Sequence, residues 1–334
     1  MGKETIFFKN KPKIIATYSI GGPKESTGPM GDYIDKKLSN DKFDEKTFEK
    51  AECKMLSYVI GEVIKKAKLN NNQINAIIAG DLLNQIISSS YAARDYDIPY
   101  VGVYSACSTM SESIAMGGVL IDGGYMDNVI CATGSHFASA ERQYRYPLEL
   151  GCTRPPQSQW TVTGAGSLIL SNSNIKAPYL TSATFGQVID YGVTDANNMG
   201  AAMAPACANT LLKHFENTNT KPEDYDVIIS GDLGVLGSKL LKDLTWEKGI
   251  NLYNHVDCGE MIFNLCEDEF QGGSGAGCSA IVFNSYFIDK ITKGEYKKVL
   301  FLATGALLST VSVQQGESIP CVSHAVCIEN ENNK

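Results

Sequence analysis

Apolar residues recur at helical spacing between residues 47 and 69, where Phe48, Ala51, Met55, Val59 and Val63 share one face and lysines the other, which predicts an amphipathic helix. Short apolar runs predict strands at 14–16, 75–79, 100–103, 128–132 and 161–172, and again at 226–230, 298–303 and 321–328. Residues 108–121 carry a single charge, Glu112, and otherwise only small or apolar side chains. A helix there has no polar face to turn to water, so it belongs in the middle of the molecule. The spacing predicts a second buried helix at 279–291, and further helices from Pro205, placed in a first turn, to Phe215, at 238–244 and at 260–269. Residues 21–40 are turn-rich and read as a surface loop. Strands alternating with helices imply parallel sheets covered by helices, an α/β fold.

The pattern repeats. Adding 171 to each position of Cys107 to Gly134 gives Cys278 to Gly305 without a gap. The ends agree: Cys107-Ser108 with Cys278-Ser279, and Ala132-Thr-Gly134 with Ala303-Thr-Gly305. Upstream, Ile77-Ile-Ala-Gly-Asp-Leu82 returns as Ile228-Ile-Ser-Gly-Asp-Leu233. The chain therefore reads as a duplication, residues 1–175 and 176–334 forming two tightly fused halves.

Charge and cysteine usage narrow the function classes. A formal net charge of −8 argues against nucleic acid as a partner, because phosphate binding needs a basic surface. The ten cysteines include no Cys-x-x-Cys pair, and the first residues lack the apolar stretch of a signal peptide, so reduced thiols in a cytosol-like compartment are expected. The most apolar run, 299–313, is broken by threonine, serine and glycine and falls short of a membrane span. No spacing suggests a metal centre, and Asp257 in Asn254-His-Val-Asp-Cys258 reads as a helix cap.

Cys107 lies where an apolar run gives way to small residues, at the head of the buried helix, where unpaired N–H groups favour a thiolate or an oxyanion. It is a nucleophile, a polar group of a pocket wall, or a small buried hydrophobe. His136 directly follows the strand end Ala132-Thr-Gly134, a place that borders ligand crevices in parallel sheets. Of four arginines, Arg142, Arg145 and Arg154 lie within thirteen positions beside Tyr144 and Tyr146, and their planar forks suit a small dicarboxylate. The alternative is a loop tied structurally to Glu141 and Glu149.

A duplicated α/β chain with a cysteine heading a buried helix resembles the thiolase and ketosynthase superfamily. Ser135-His-Phe-Ala-Ser-Ala-Glu-Arg-Gln-Tyr-Arg-Tyr-Pro147, Arg154-Pro-Pro-Gln-Ser-Gln-Trp-Thr-Val-Thr-Gly164 and Gly231-Asp-Leu-Gly-Val-Leu-Gly-Ser-Lys-Leu-Leu241 are similar to the stage V sporulation protein AD family, a thiolase branch of endospore formers. The resemblance implies a five-layer α/β/α/β/α fold and a homodimer. It also implies a protein that binds dipicolinic acid, possibly with calcium, and works with other stage V sporulation proteins at the forespore or spore inner membrane. Resemblance to the last thiolase strand brings in Cys321 and, beside it, His324 as pocket candidates. The catalytic set is incomplete: Gly231-Asp232-Leu233 stands where initiating ketosynthases carry their histidine, and Gly272-Gly273-Ser274 where they carry asparagine. No cofactor and no catalysis are expected; the alternative is a Cys107-dependent acyltransferase or condensing enzyme.

Overall fold

The strands of the computed structural model, which describes residues 4–144, 154–265 and 270–331, are β1 (Thr5–Phe7), β2 (Lys13–Gly21), β3 (Lys36–Lys37), β4 (Ala76–Gly80), β5 (Tyr100–Gly102), β6 (Asn128–Ser135), β7 (Trp160–Thr161), β8 (Gly164–Ser171), β9 (Tyr179–Phe185), β10 (Val227–Ser230), β11 (His255–Asp257), β12 (Gly273–Ser274), β13 (Lys298–Ala306) and β14 (Cys321–Glu329). The main sheet runs β11-β10-β13-β14-β9-β2-β8-β6-β4-β5. Each half contributes five strands in the same order, the third, second, fourth, fifth and first of that half. In both halves the fifth strand, β8 or β14, is antiparallel to its two neighbours, while the outer pairs are parallel. The halves join where β9 pairs with β2, Lys13 opposite Tyr179, and with β1 along Thr5–Phe7, and where β7 pairs with β12. The repeat read from the sequence is thus a repeat of topology.

Packing separates five layers. The helix Phe48–Lys66 covers β2, β6 and β8; Met199–Thr218 covers β9, β13 and β14. Between the halves lie Thr109–Asp122 and the helix starting at Ala276, the first touching β6 and β8 on one side and β13 and β14 on the other. Three buried clusters follow this division: Met55, Val59 and Ile130 on one outer face, Met203, Leu211 and Leu302 on the other, and Met110, Ile114, Phe283 and Phe301 in the middle. Burying each such side chain stabilises the fold by about 1.5–3 kcal/mol. Ser108, Ser111 and Ser113 are hidden in the central layer without loss, because each hydroxyl bonds the carbonyl three residues back.

Several elements depart from the sequence expectation. Pro205 lies inside its helix, which starts at Met199 after an Asn198 cap. The apolar face continues upstream through Met199, Ala202 and Met203, and its burial outweighs the hydrogen bond that proline removes. Residues 161–172 form two strands, because Gly164 turns the chain at φ +156 before β8. The helix expected at 260–269 is Cys258–Ile262, and residues 266–269 lie outside the described chain. Asp257 caps it by accepting from the Glu260 N–H at 3.2 Å, as the sequence indicates.

Candidate active site

Cys107 lies on a single 3-10 turn, Ala106–Ser108, directly ahead of the central helix. Ala106 adopts φ +50, a left-handed conformation that turns the chain sharply between β5 and the helix. Two glycines permit that turn. A Cβ on Gly80 would stand 2.0 Å from the Val103 oxygen, and one on Gly305 only 1.8 Å from the Ser105 oxygen. The tips of β4 and β13 therefore press against the turn from both halves, and Ser105 braces it by donating to Glu112 at 2.7 Å.

The thiol opens onto a narrow cavity. One half supplies Leu82, Tyr104, Cys107, Ala140, Tyr144 and Thr161; the other supplies Met199, Met203, Ser274, Gly275, Ala306 and Leu308. β7 and β12 form a separate two-stranded sheet that sets Thr161 beside Ser274 on the wall. Tyr144 donates to the Leu82 carbonyl and interacts with Tyr104, and burial raises both phenols above their ordinary value. The described wall is apolar with neutral hydroxyls, and no lysine, arginine or histidine lines it.

Behind the wall stands Asp232, fully buried. Its Oδ2 accepts from the Gly275 N–H at 2.9 Å and from the Ser274 hydroxyl at 3.3 Å, its Oδ1 has no hydrogen-bond partner among the described residues, and the Cys107 thiol lies beside the carboxyl. Burial pushes Asp232 up to about 7; the nearby Cys107 thiol opposes that rise and the charge of Asp257 adds to it. Asp257, raised by burial to about 6, accepts from Ser230, Leu233 and Gly234 and so holds the loop that carries Asp232. Gln159 ties the same loop to β12 by donating to the carbonyls of Asp232 and Gly273 at 2.7 and 2.8 Å.

Of the described residues singled out from the sequence as pocket candidates, Cys107 alone lines this cavity. His136 is a loop anchor: its Nε2 donates to the Asp41 carbonyl at 2.8 Å and its Nδ1 accepts from Ala138 N–H at 3.1 Å, so both nitrogens are engaged. His324 accepts from Gly186 N–H at 3.3 Å beside the Phe185 ring, and burial lowers it to about 4. Cys321 is enclosed in the outer cluster with the Met199–Thr218 helix, its thiol pushed up to about 12 by burial. Arg142 meets Glu49 at 3.3 Å on the surface, half exposed. Arg154 turns inward, paired with Glu141 at 3.4 Å, its guanidinium 5.2 Å from the Trp160 ring and 5.6 Å from that of Phe137. Arg145 lies outside the described residues. The two described arginines of the cluster thus pair with different acids, and the Arg154–Glu141 pair is the structural tie that the sequence offered as the alternative. What sequence reading missed was Asp232, although the repeated Gly-Asp-Leu after the second strand of each half marks its place.

A duplicated 3-2-4-5-1 sheet enclosing central helices, with a cysteine heading one of them, defines a thiolase-fold protein. Solved structures agree on the fold: 3-oxoacyl-[acyl-carrier-protein] synthase III from Aquifex aeolicus (TM-score 0.57, 14% identity, 95% of this chain and 99% of that one) and acetamide-bound OleA of Xanthomonas campestris (TM-score 0.60, 13% identity, 97% and 100%). The family model of stage V sporulation protein AD matches residues 2–329, and the stage V sporulation protein AD of Bacillus subtilis (strain 168) is 40% identical over 329 residues, 98% of this chain and 97% of that protein. The chain belongs to the stage V sporulation protein AD family.

Proposed function

We propose that this sporulation protein holds dipicolinate, alone or as its calcium chelate, in the Cys107 cavity and does not turn it over. The observation that carries the reading is the partner of the thiol. Condensation needs a base to activate the cysteine and donors for the developing oxyanion. Here the thiol faces a buried carboxyl in place of an imidazole, and no histidine of the described chain stands on the wall. Such a site is built to bind.

The wall also bears on the form of the ligand. Two phenols and apolar side chains suit a flat aromatic ring, but the described wall offers a dianion no cation. Calcium cancels the charge of dipicolinate before it enters, so the wall favours the chelate. Delivery of that ligand to the forespore, with other stage V sporulation proteins at its inner membrane, makes this protein peripheral; among the described residues no helix is long and apolar enough to cross a bilayer. The exposed edge strand β5, with Val101 40% exposed near Ile87, Tyr91 and Tyr104, supports a homodimer. A monomer in light scattering at micromolar concentration removes that part.

Calorimetry with dipicolinate, with and without calcium, tests the reading against acyl-thioesters. Saturable heat without turnover supports it. Multiple turnover of a thioester, lost in Cys107→Ala, replaces it with the condensing enzyme.

A further inference from the structure

Asp232 touches two groups that themselves line the cavity, the Cys107 thiol and the Ser274 hydroxyl, and has no exposed surface of its own. An ionised carboxylate only accepts hydrogen bonds. In that state it draws the S–H and O–H hydrogens inward, and Cys107 Sγ and Ser274 Oγ turn lone pairs toward the cavity. A protonated carboxyl carries no charge and keeps only part of its accepting capacity; the unpartnered Oδ1 can hold the proton, and the S–H and O–H hydrogens, no longer drawn inward by a charge, are free to point into the cavity.

We infer that the protonation state of Asp232 sets the charge class the Cys107 cavity accepts: carboxylate anions when Asp232 carries its proton, neutral or cationic groups when it is ionised. The inference rests on the ligand site proposed above and adds its regulation. Asp232 works through Cys107 and Ser274 and is a positioning residue. Binding a free carboxylate to the ionised form takes up one proton from solvent, whereas a neutral calcium chelate takes up none.

The surroundings place this exchange near neutral pH. Asp257 faces Asp232 from the end of β11, and the thiols of Cys107, Cys258 and Cys278 face it from the central layer. Cys207 and Cys321 feel its charge from the outer helix and from β14. Burial of Asp232 together with repulsion from Asp257 brings its titration to about 7. Burial pushes Cys207 and Cys321 up to about 12 and Cys258 and Cys278 well above their ordinary range.

Two alkylating probes of different charge read the gate without any assumption about the ligand. Iodoacetate is an anion and iodoacetamide is neutral, and the ratio of their rates at Cys107 cancels the thiolate fraction common to both. In the wild type the ratio should fall about tenfold from about pH 6 to about pH 8, as the ionised acid comes to repel the anion. In Asp232→Asn it should stay flat, and Asp232→Ser serves if the asparagine variant does not fold. A flat ratio in the wild type, or an equal fall in the variant, overturns the inference. Calcium-free dipicolinate calorimetry in buffers of different ionisation enthalpy supplies the second arm, with uptake of one proton per site expected above pH 7. Dipicolinate that gives no heat while the ratio still titrates removes the ligand and leaves the gate; dipicolinate that binds while the ratio stays flat does the reverse.

Discussion

Asp81 and Asp232 stand at equivalent stations after β4 and β10 and work in different directions. Asp81 turns back on its own half, accepting from the N–H groups of Leu83 at 2.9 Å and Ser89 at 2.7 Å, and so braces a loop. Asp232 reaches the N–H of Gly275 at 2.9 Å and the thiol of Cys107, which belongs to the other half. One residue type at one repeated position is a loop brace in the first case and the rear wall of a cavity in the second.

That rear wall predicts the absence of ordinary thiolase chemistry. Without the ketosynthase histidine and asparagine beside Cys107, thiolysis and condensation of common acyl-thioesters should stay at background. The general acid–base assistance that the histidine supplies is worth roughly 10²–10⁴-fold. A coupled thioester assay on the wild type and Cys107→Ala checks this, and equal background rates are expected.

The duplicated cysteines should differ sharply in reactivity. Cys278 has no exposed surface, and burial drives its thiol well above the ordinary cysteine value, while Cys107 borders open space. Limited alkylation followed by peptide mass spectrometry should mark Cys107 first. Prior labelling of Cys278 would mean that the reactive cavity belongs to the other half.

The arginines should separate by stability. In Arg154→Lys the charge stays, but the planar contact with Trp160 and the bond to the Gln159 carbonyl are lost from a mostly buried position. A loss of about 1.5–3 kcal/mol is expected, the range for hydrogen bonds to charged groups. Arg142→Lys alters an exposed pair and should cost less than about 1 kcal/mol. Thermal melts of both variants check this, and ligand affinity should be unchanged in Arg142→Lys because that side chain is not on the wall. A selective loss of dipicolinate binding there, at unchanged melting temperature, restores arginine to the ligand site.

Asp232 also leaves a signature in stability against pH. Its folded value, raised by burial to about 7, exceeds the unfolded one of 3.8, so the folded state holds the extra proton between the two. That contribution is present below the lower value and is lost as pH rises through the upper one. Asp232→Asn lacks it, so its stability relative to the wild type should climb between about pH 4 and 7 and level off above. The climb is bounded by about 1.4 kcal/mol per pH unit. The comparison uses the difference because buried His214 and His255, lowered by burial to about 4 and 3, push the wild-type curve the opposite way over the same range. A difference that does not change with pH means that Asp232 titrates as an ordinary acid.

Much of the architecture is legible in the residue pattern, for reasons that lie in short stretches of chain. The face of Phe48–Lys66, the near absence of charge in Thr109–Asp122 and the repeat from Cys107 to Gly305 each follow from local periodicity, and the packing honours all three. Among the elements that escaped detection, Ile87–Ala93, Phe137–Tyr144 and β11 are too brief to show a period, β7 and β12 hold two residues each, and β9 mixes threonine, serine and alanine into its apolar run. Their positions come from what they pack on.

Chain pattern alone placed a cysteine at the head of a buried helix, and the resemblance to ketosynthases added that their histidine has no counterpart at Gly231-Asp232-Leu233. It did not assign the polar partners. His136, His324, Cys321, Arg142 and Arg154 share residue types with binding sites, and each is drawn into contacts elsewhere. The group that does face Cys107 is 125 positions away in sequence, since 232 − 107 = 125. Only the stacking of the two halves brings β4, β13 and the loop after β10 around one turn. Hydrogen-bond partners depend on ångström distances between strands remote in the chain, whereas the burial of a helix face depends on residues one turn apart.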